Sequence, residues 1–295
     1  MATADRVLRA ATRGSALARW QTDHVAALLA DAHPGVRVEV VVVDTEGDRR
    51  LDVPISAFGG KGVFAKEVQA AVLDGRADLA VHSAKDLPAV TVDGLVLAAV
   101  PERGDARDAL VGSTLADLPD GALVATGSQR RRVQLAALRP DLRFAELRGN
   151  MQTRLAKAVD HDAIVVAAVA FERLGLGEHL TDVLAVDLMV PQVSQGALAV
   201  ECRADDDATR TLLAGIEHAN SRHRVDAERG FLAELGGDCD LPAGAYAVLD
   251  GADVRLTAVL ASPDGDRLLR RTGAGPDADG VGRAVARDLR AALGA

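Results

Sequence analysis

Two cysteines, four lysines and an aromatic content of 2% are what this 295-residue chain has least of. Cys202 and Cys239 are too few for a disulfide scaffold or a structural zinc site. So few rings leave no platform for stacking nucleobases. The net charge of −9 argues against the basic surface that general nucleic-acid binding needs. No apolar run approaches the ~18 residues of a membrane span. Met1-Ala-Thr-Ala-Asp-Arg6 also lacks the basic start and apolar stretch of a secretory signal. The expectation is a soluble, cytoplasmic protein without nucleic-acid or membrane partners.

What is present describes a globular chain, 48% hydrophobic and 26% charged, long enough for two or three domains. Its first half alternates strands and helices, the pattern of an α/β fold with mostly parallel strands. Val7–Thr12 reads as a strand, and Ser15 as the N-cap of a helix to Leu29 that buries Leu17, Trp20, Leu28 and Leu29. Val36–Val43 is a β-branched run, as in a strand covered on both faces. Residues 45–62 have no period, and long irregular segments in compact domains tend to be functional. A helix over 63–73 and strands at 78–82 and 95–100 follow.

Pro101-Glu-Arg-Gly-Asp105 reads as a crossing into a second unit, with strands near 109–111, 123–126, 143–147 and 164–168. Helices begin there near Ser128 and Asn150. Pro191–Ser194 reads as the return, leading into Gln195–Cys202, with Cys202 placed in a helix as core. After a helix at 225–235, three antiparallel strands and a last helix over 277–293 form a small α+β domain. The domains expected are 1–100 with 195–217, 101–194, and 218–295.

Ligands of open α/β sheets bind at strand carboxyl ends, where helices begin. Helix starts disfavour basic side chains unless an anion is bound. Yet Arg13, Arg130, Arg131, Arg132, Arg148 and Arg154 all fall at such places, and three of the four lysines (Lys61, Lys66, Lys85) lie between residues 61 and 85. A bias toward arginine explains their excess over lysine but not that clustering. A ligand with several negative groups fits, since guanidinium binds carboxylate well. Gly59-Gly-Lys-Gly62 lacks the spacing and hydroxyl of a P-loop.

Val81-His-Ser-Ala-Lys-Asp-Leu-Pro88 sets one carboxylate, Asp86, beside Lys85 at a strand end. It is either an ordinary turn or the group that meets a cation forming on an anionic substrate. Cys239 lies in the turn-rich Gly236-Gly-Asp-Cys-Asp-Leu-Pro-Ala-Gly244, where two aspartates disfavour a thiolate nucleophile but not a covalent tether.

In chain order the motifs are Ala11-Thr-Arg-Gly-Ser15 with Trp20-Gln21, Gly59-Gly-Lys-Gly-Val-Phe-Ala-Lys-Glu67, and Val81–Pro88. Ser128-Gln-Arg-Arg131, Leu147-Arg-Gly-Asn150 with Thr153-Arg154, and Arg173-Leu-Gly175 follow. Gln195-Gly-Ala197, Glu201-Cys-Arg203 and Cys239-Asp-Leu-Pro-Ala-Gly244 complete the series. Together they resemble the hydroxymethylbilane synthases (porphobilinogen deaminases) over nearly the whole chain.

The resemblance implies two domains like a type II periplasmic binding protein with a cleft between them, plus a C-terminal α+β domain with a three-stranded antiparallel sheet. It implies a dipyrromethane cofactor in thioether linkage to Cys239. On it, porphobilinogen molecules are condensed head to tail with loss of ammonia, and water then releases the linear tetrapyrrole. Asp86 would stabilise positive pyrrole intermediates. Arg13, Ser15, Lys85, Ser128, Arg130, Arg131, Arg148 and Arg154 would hold acetate and propionate carboxylates. Lys61, Phe64, Ser83, Thr126, Gly149 and Gln195 complete the implied binding set. No metal is expected, and the protein is expected to be monomeric.

Ala57, Gly127, Ser194 and Asp238 depart from the family pattern, where lysine, serine, glycine and glycine are usual. The rival expectation is a non-catalytic binding protein for an acidic small ligand, which would need the arginines but neither Asp86 nor Cys239.

Overall fold

A computed structural model describes residues 6–45, 65–236 and 241–294. Contacts divide the chain into two compact units, 1–103 with 197–222 and 104–196 with 223–295.

The first unit is built on a five-stranded sheet. Its strands are β1 (Arg6–Arg13), β2 (Val36–Val43), β3 (Leu79–Ser83), β4 (Leu95–Ala99) and β10 (Leu198–Arg203), in the order β2-β1-β3-β10-β4. β1 runs parallel to β2 and β3, whereas β10 is antiparallel to β3 and β4. Alternation along each strand sends successive side chains to opposite faces. One face therefore packs Leu8, Ala10, Leu79 and Val81 against Val25 and Leu29 of α1 (Ala16–Ala32). The other packs Ala11 and Ala80 against Val68, Ala71 and Val72 of α2 (Lys66–Leu73).

Ser15 caps α1 as expected, its Oγ accepting the Ala18 N–H at 3.3 Å. The buried stripe is different, comprising Ala18, Gln21, Thr22, Val25 and Leu29, with Leu17, Trp20 and Leu28 only part-buried. β2 is also not covered on both faces. It lies at the sheet edge, where Val42 stays exposed.

The second unit holds a sheet of the same design. β5 (Asp108–Val111), β6 (Leu123–Ala125), β7 (Arg143–Ala145), β8 (Ala163–Ala167) and β9 (Asp182–Val183) lie in the order β7-β6-β8-β5-β9. β6 is parallel to β7 and β8, and β5 is antiparallel to β8. In both sheets the antiparallel strand, β5 or β10, is the first strand after the chain crosses between units. α3 (Gln129–Leu138), α4 (Met151–Ala156) and α5 (Ala168–Arg173) follow β6, β7 and β8. Cys202 is buried as expected, but in β10 and not in a helix, and burial pushes its thiol up to about 11.

In chain order α6 (Asp207–Ala214) belongs to the first unit, and α7 (Ala219–Glu234) carries the chain into the second. There a separate antiparallel sheet, β11 (Ala243–Asp250), β12 (Asp253–Ala261) and β13 (Leu268–Gly275), packs on the last helix, α8 (Ala278–Leu293). The architecture is thus α/β, with two five-stranded sheets of the same strand plan and a C-terminal three-stranded antiparallel sheet with its helix. No helix among the described residues is long and apolar enough to cross a membrane.

Candidate active site

In the first unit β1 and β3 end side by side, and the helix or turn after each begins there. The resulting pocket, about 50 Å³, is lined by Arg13, Ser15, Gln21, His82, Ser83 and Asp86 together with Leu17, Ala18, Val68 and Val81. Arg13 closes β1 and Ser15 opens α1. Ser83 ends β3, and Lys85 and Asp86 occupy the 3-10 turn Ala84–Asp86 after it. The pocket offers a carboxylate to an N–H donor, and a guanidinium and a hydroxyl to an anion. Four residues expected at the site therefore meet in one place, with Lys85 next to Asp86. Gln21 belongs with them although its motif suggested no role for it: its Nε2 donates to Ser83 Oγ at 2.8 Å.

In the second unit, the ends of β6 and β7 abut, with the Thr126 N–H on the Ala145 carbonyl at 2.9 Å. Ser128 caps α3, and Thr126 Oγ1 accepts the Ser128 N–H at 3.2 Å. Gly149 sits at φ 117°, and its carbonyl accepts Arg154 Nε at 2.9 Å. A Cβ there would fall 2.6 Å from Thr153, so only glycine fits. Arg148, Gly149 and Arg154 thus form one group at the start of α4, with Arg148 and Arg154 half-buried.

Arg130, Arg131 and Gln195 require a correction. Arg130 and Arg131 do not line an open helix start; they converge with Gln195 inside the unit on Asp108, which is fully buried. Arg131 donates to Asp108 Oδ1 from Nε at 3.0 Å and from Nη2 at 2.8 Å, and from Nη1 to the Val165 carbonyl. Arg130 Nη1 stands 2.7 Å from Asp108 Oδ2 and donates to the Val190 carbonyl. Gln195 Nε2 donates to Asp108 Oδ1 and the Ala106 carbonyl.

Burial would raise the Asp108 carboxyl, but the two guanidinium groups and these hydrogen bonds hold it well below the usual carboxylate range. Burial lowers Arg130 even beside Asp108. The sequence placed two arginines correctly at the start of a helix. The carboxylate that engages them, more than 20 residues earlier in β5, gave no local signal.

Arg173 of the Arg-Leu-Gly motif holds the second crossing, donating from Nη2 to the Gly196 carbonyl at 2.8 Å. Ser194, one of the departures, has φ 59°, the left-handed region that glycine adopts freely. Lys61, Phe64, Cys239, Ala57 and Asp238 lie outside the described residues. No group of metal-binding side chains occurs among the described residues.

Each unit is thus an α/β sheet of one strand order with basic side chains at its strand ends. The chain belongs to the porphobilinogen deaminase family. The model for the family's dipyrromethane cofactor binding domain matches residues 8–211, and that for its C-terminal domain matches residues 223–291. Membership carries the coarse function with it, that of a transferase in tetrapyrrole biosynthesis using porphobilinogen.

Solved structures of similar outline include the effector binding domain of BenM with its effector benzoate (14% identity over 79% of this chain and 95% of that one, TM-score 0.42). Others are YhfZ from Shigella flexneri (15% identity, 78% and 91% covered, TM-score 0.36) and an arginine-specific periplasmic binding protein from Salmonella typhimurium (13% identity, 72% and 91% covered, TM-score 0.39). At that level of superposition they say nothing of this chain's ligand.

Proposed function

We propose that this protein is a hydroxymethylbilane synthase, condensing porphobilinogen head to tail with loss of ammonia and releasing a linear tetrapyrrole. The observation that carries this reading is the pocket where Asp86 meets Arg13 and Ser15. Each pyrrole brings N–H and carboxylate groups, and that pocket holds a complement to both.

The donor set also suits a dipyrromethane, with Cys239 as its thioether anchor, Asp86 toward pyrrole N–H groups, and Arg13, Ser15, Arg148 and Arg154 toward carboxylates. When bound, this group supplies the pyrrole carbon from which the chain grows. Asp86 stabilises positive charge as it develops on the incoming pyrrole, in a setting whose other charged groups are basic. A fixed carboxylate placed where charge appears lowers a barrier without reorganising. Ser15 Oγ and the Arg13 guanidinium orient the ring by its carboxylates, which aligns the reacting carbons. Lys61, Phe64, Ser83, Lys85, Thr126, Ser128 and Gly149 complete the binding surface, while Arg130, Arg131 and Gln195 act one step removed, through Asp108.

We read residues 1–100 with 195–217, 101–194 and 218–295 as three domains of a monomeric, cytoplasmic enzyme. Family membership favours this over a non-catalytic binding protein. Incubating the purified protein with porphobilinogen tests it, with one ammonia expected per porphobilinogen consumed and a linear tetrapyrrole as product. Binding without ammonia release would restore the binding-protein reading.

A further inference from the structure

The last strand before Asp86 is gripped from both faces by polar side chains in places where a core would ordinarily be apolar. β3 sends Leu79 and Val81 to the α1 face and Ala80 to the α2 face. Ser83 continues the first series, and on that face Gln21, only 3% exposed, donates to its Oγ at 2.8 Å. His82 continues the second. On that face its Nε2 lies 3.2 Å from Oε2 of Glu201, a carboxylate 1% exposed on the neighbouring β10, at ion-pair distance though outside hydrogen-bond geometry. The same Oε2 accepts Gln69 Nε2 of α2 at 2.8 Å. The turn itself is tied down by the Ala84 N–H on the Ala197 carbonyl at 3.0 Å and the Leu87 N–H on the Ala84 carbonyl at 3.3 Å.

Burying a carboxylate, an imidazole and two amides is costly, and apolar residues of similar size serve stability as well or better. What such a cluster supplies is direction, because hydrogen bonds fix orientation where apolar contacts do not. We propose that Glu201, with Gln69, is a positioning residue for Asp86. Fixed by the Gln69 hydrogen bond, its carboxylate stands against the His82 imidazole at ion-pair distance and braces the end of β3, so that the Ala84–Asp86 turn presents its carboxylate at a fixed point in the pocket. Gln21 does the same from the opposite face through Ser83. The chain thus spends three elements, α1, α2 and β10, on the placement of one turn. This deepens the porphobilinogen-condensing reading and rests on it for its kinetic consequence only.

The test compares Glu201→Leu with Glu201→Gln in the full-length protein. Leucine removes both contacts, while glutamine keeps an acceptor for Gln69 and a polar partner for His82. Two readouts are taken: steady-state kinetics with porphobilinogen, and native-state hydrogen exchange of the Ala84 and Leu87 amides.

Misplacing a reacting group slightly costs rate more than binding. Glu201→Leu should therefore lower kcat by about tenfold or more with KM within about twofold. Protection at those two amides should fall while the α1 and β1 amides keep theirs, and Glu201→Gln should restore most of both. The proposal is overturned by unchanged kcat and protection in Glu201→Leu, by loss spread evenly over the unit, or by a glutamine variant no better than leucine. Should Glu201→Leu fail to fold, Gln69→Leu carries the same comparison. If the wild-type protein releases no ammonia, the functional reading fails, and the exchange data alone still decide whether Glu201 fixes the turn.

Discussion

At the scale of single residues, Asp86 and Asp108 are two carboxylates with opposite tasks, and their surroundings separate them. Asp86 is half-buried at a pocket wall. Its replacement should leave the fold alone and remove the charge that, in the proposed function, stabilises developing positive charge. Asp86→Asn is expected to turn over at least ~100-fold more slowly, and Asp86→Glu to retain measurable activity, by steady-state kinetics with cofactor content checked by mass. Near-wild-type turnover in loaded Asp86→Asn would move the chemistry elsewhere.

Asp108 instead pairs with two buried guanidinium groups. Removing one partner of a buried ion cluster leaves uncompensated charge, so Asp108→Asn should cost about 3–5 kcal/mol in denaturant unfolding. The direction of the pH effect follows from its lowered pKa. Asp108 contributes fully above the unfolded-state value near ~4, and that contribution is lost as pH falls through the folded value. The wild type should therefore lose stability in acid in a way Asp108→Asn does not. Equal acid sensitivity of the two proteins would assign the effect to other carboxylates.

At the scale of elements, the start of α4 shows how backbone shape serves the arginines. Gly149 turns the chain at φ 117° so that its carbonyl can take Arg154 Nε. Gly149→Ala forces a left-handed alanine against Thr153, a strain of about 1–3 kcal/mol. It should lower both the unfolding midpoint and the affinity for porphobilinogen, and calorimetry on the variant checks the first.

Local features of this kind were legible in the sequence. Ser15, Ser128 and Asn150 cap the helices their residue type announces, each accepting an N–H three residues on. Strands β1 to β8 also fall close to where the sequence reading places strands, whereas β9 was not expected and Cys202 of β10 was expected in a helix. What escaped was anything set by distant partners. β2 has a composition suited to a covered strand but occupies an edge, because β1 and β3 fill the centre. Gln69 and Glu201 are 132 residues apart, and Asp108 meets Arg131 across 23. No periodicity encodes such pairings.

At the scale of the whole molecule, the chain builds one sheet plan twice and supplies each copy with an antiparallel strand immediately after a crossing. Basic groups then stand at strand ends in both units, Arg13 and Lys85 in one and Arg148 and Arg154 in the other. Arginine contacts to a carboxylate contribute ~1.5–3 kcal/mol. Arg13→Leu and Arg148→Leu should each impair porphobilinogen turnover by roughly 10- to 100-fold, and wild-type kinetics in both would make these arginines ordinary surface charge.

In the proposed function these groups serve pyrroles assembled on Cys239. Intact mass of the purified protein, expressed with ample porphobilinogen, tests it most directly. The expected mass exceeds that of the chain by two linked pyrrole units, with no such increment in Cys239→Ser. An unmodified wild-type mass under those conditions would contradict it.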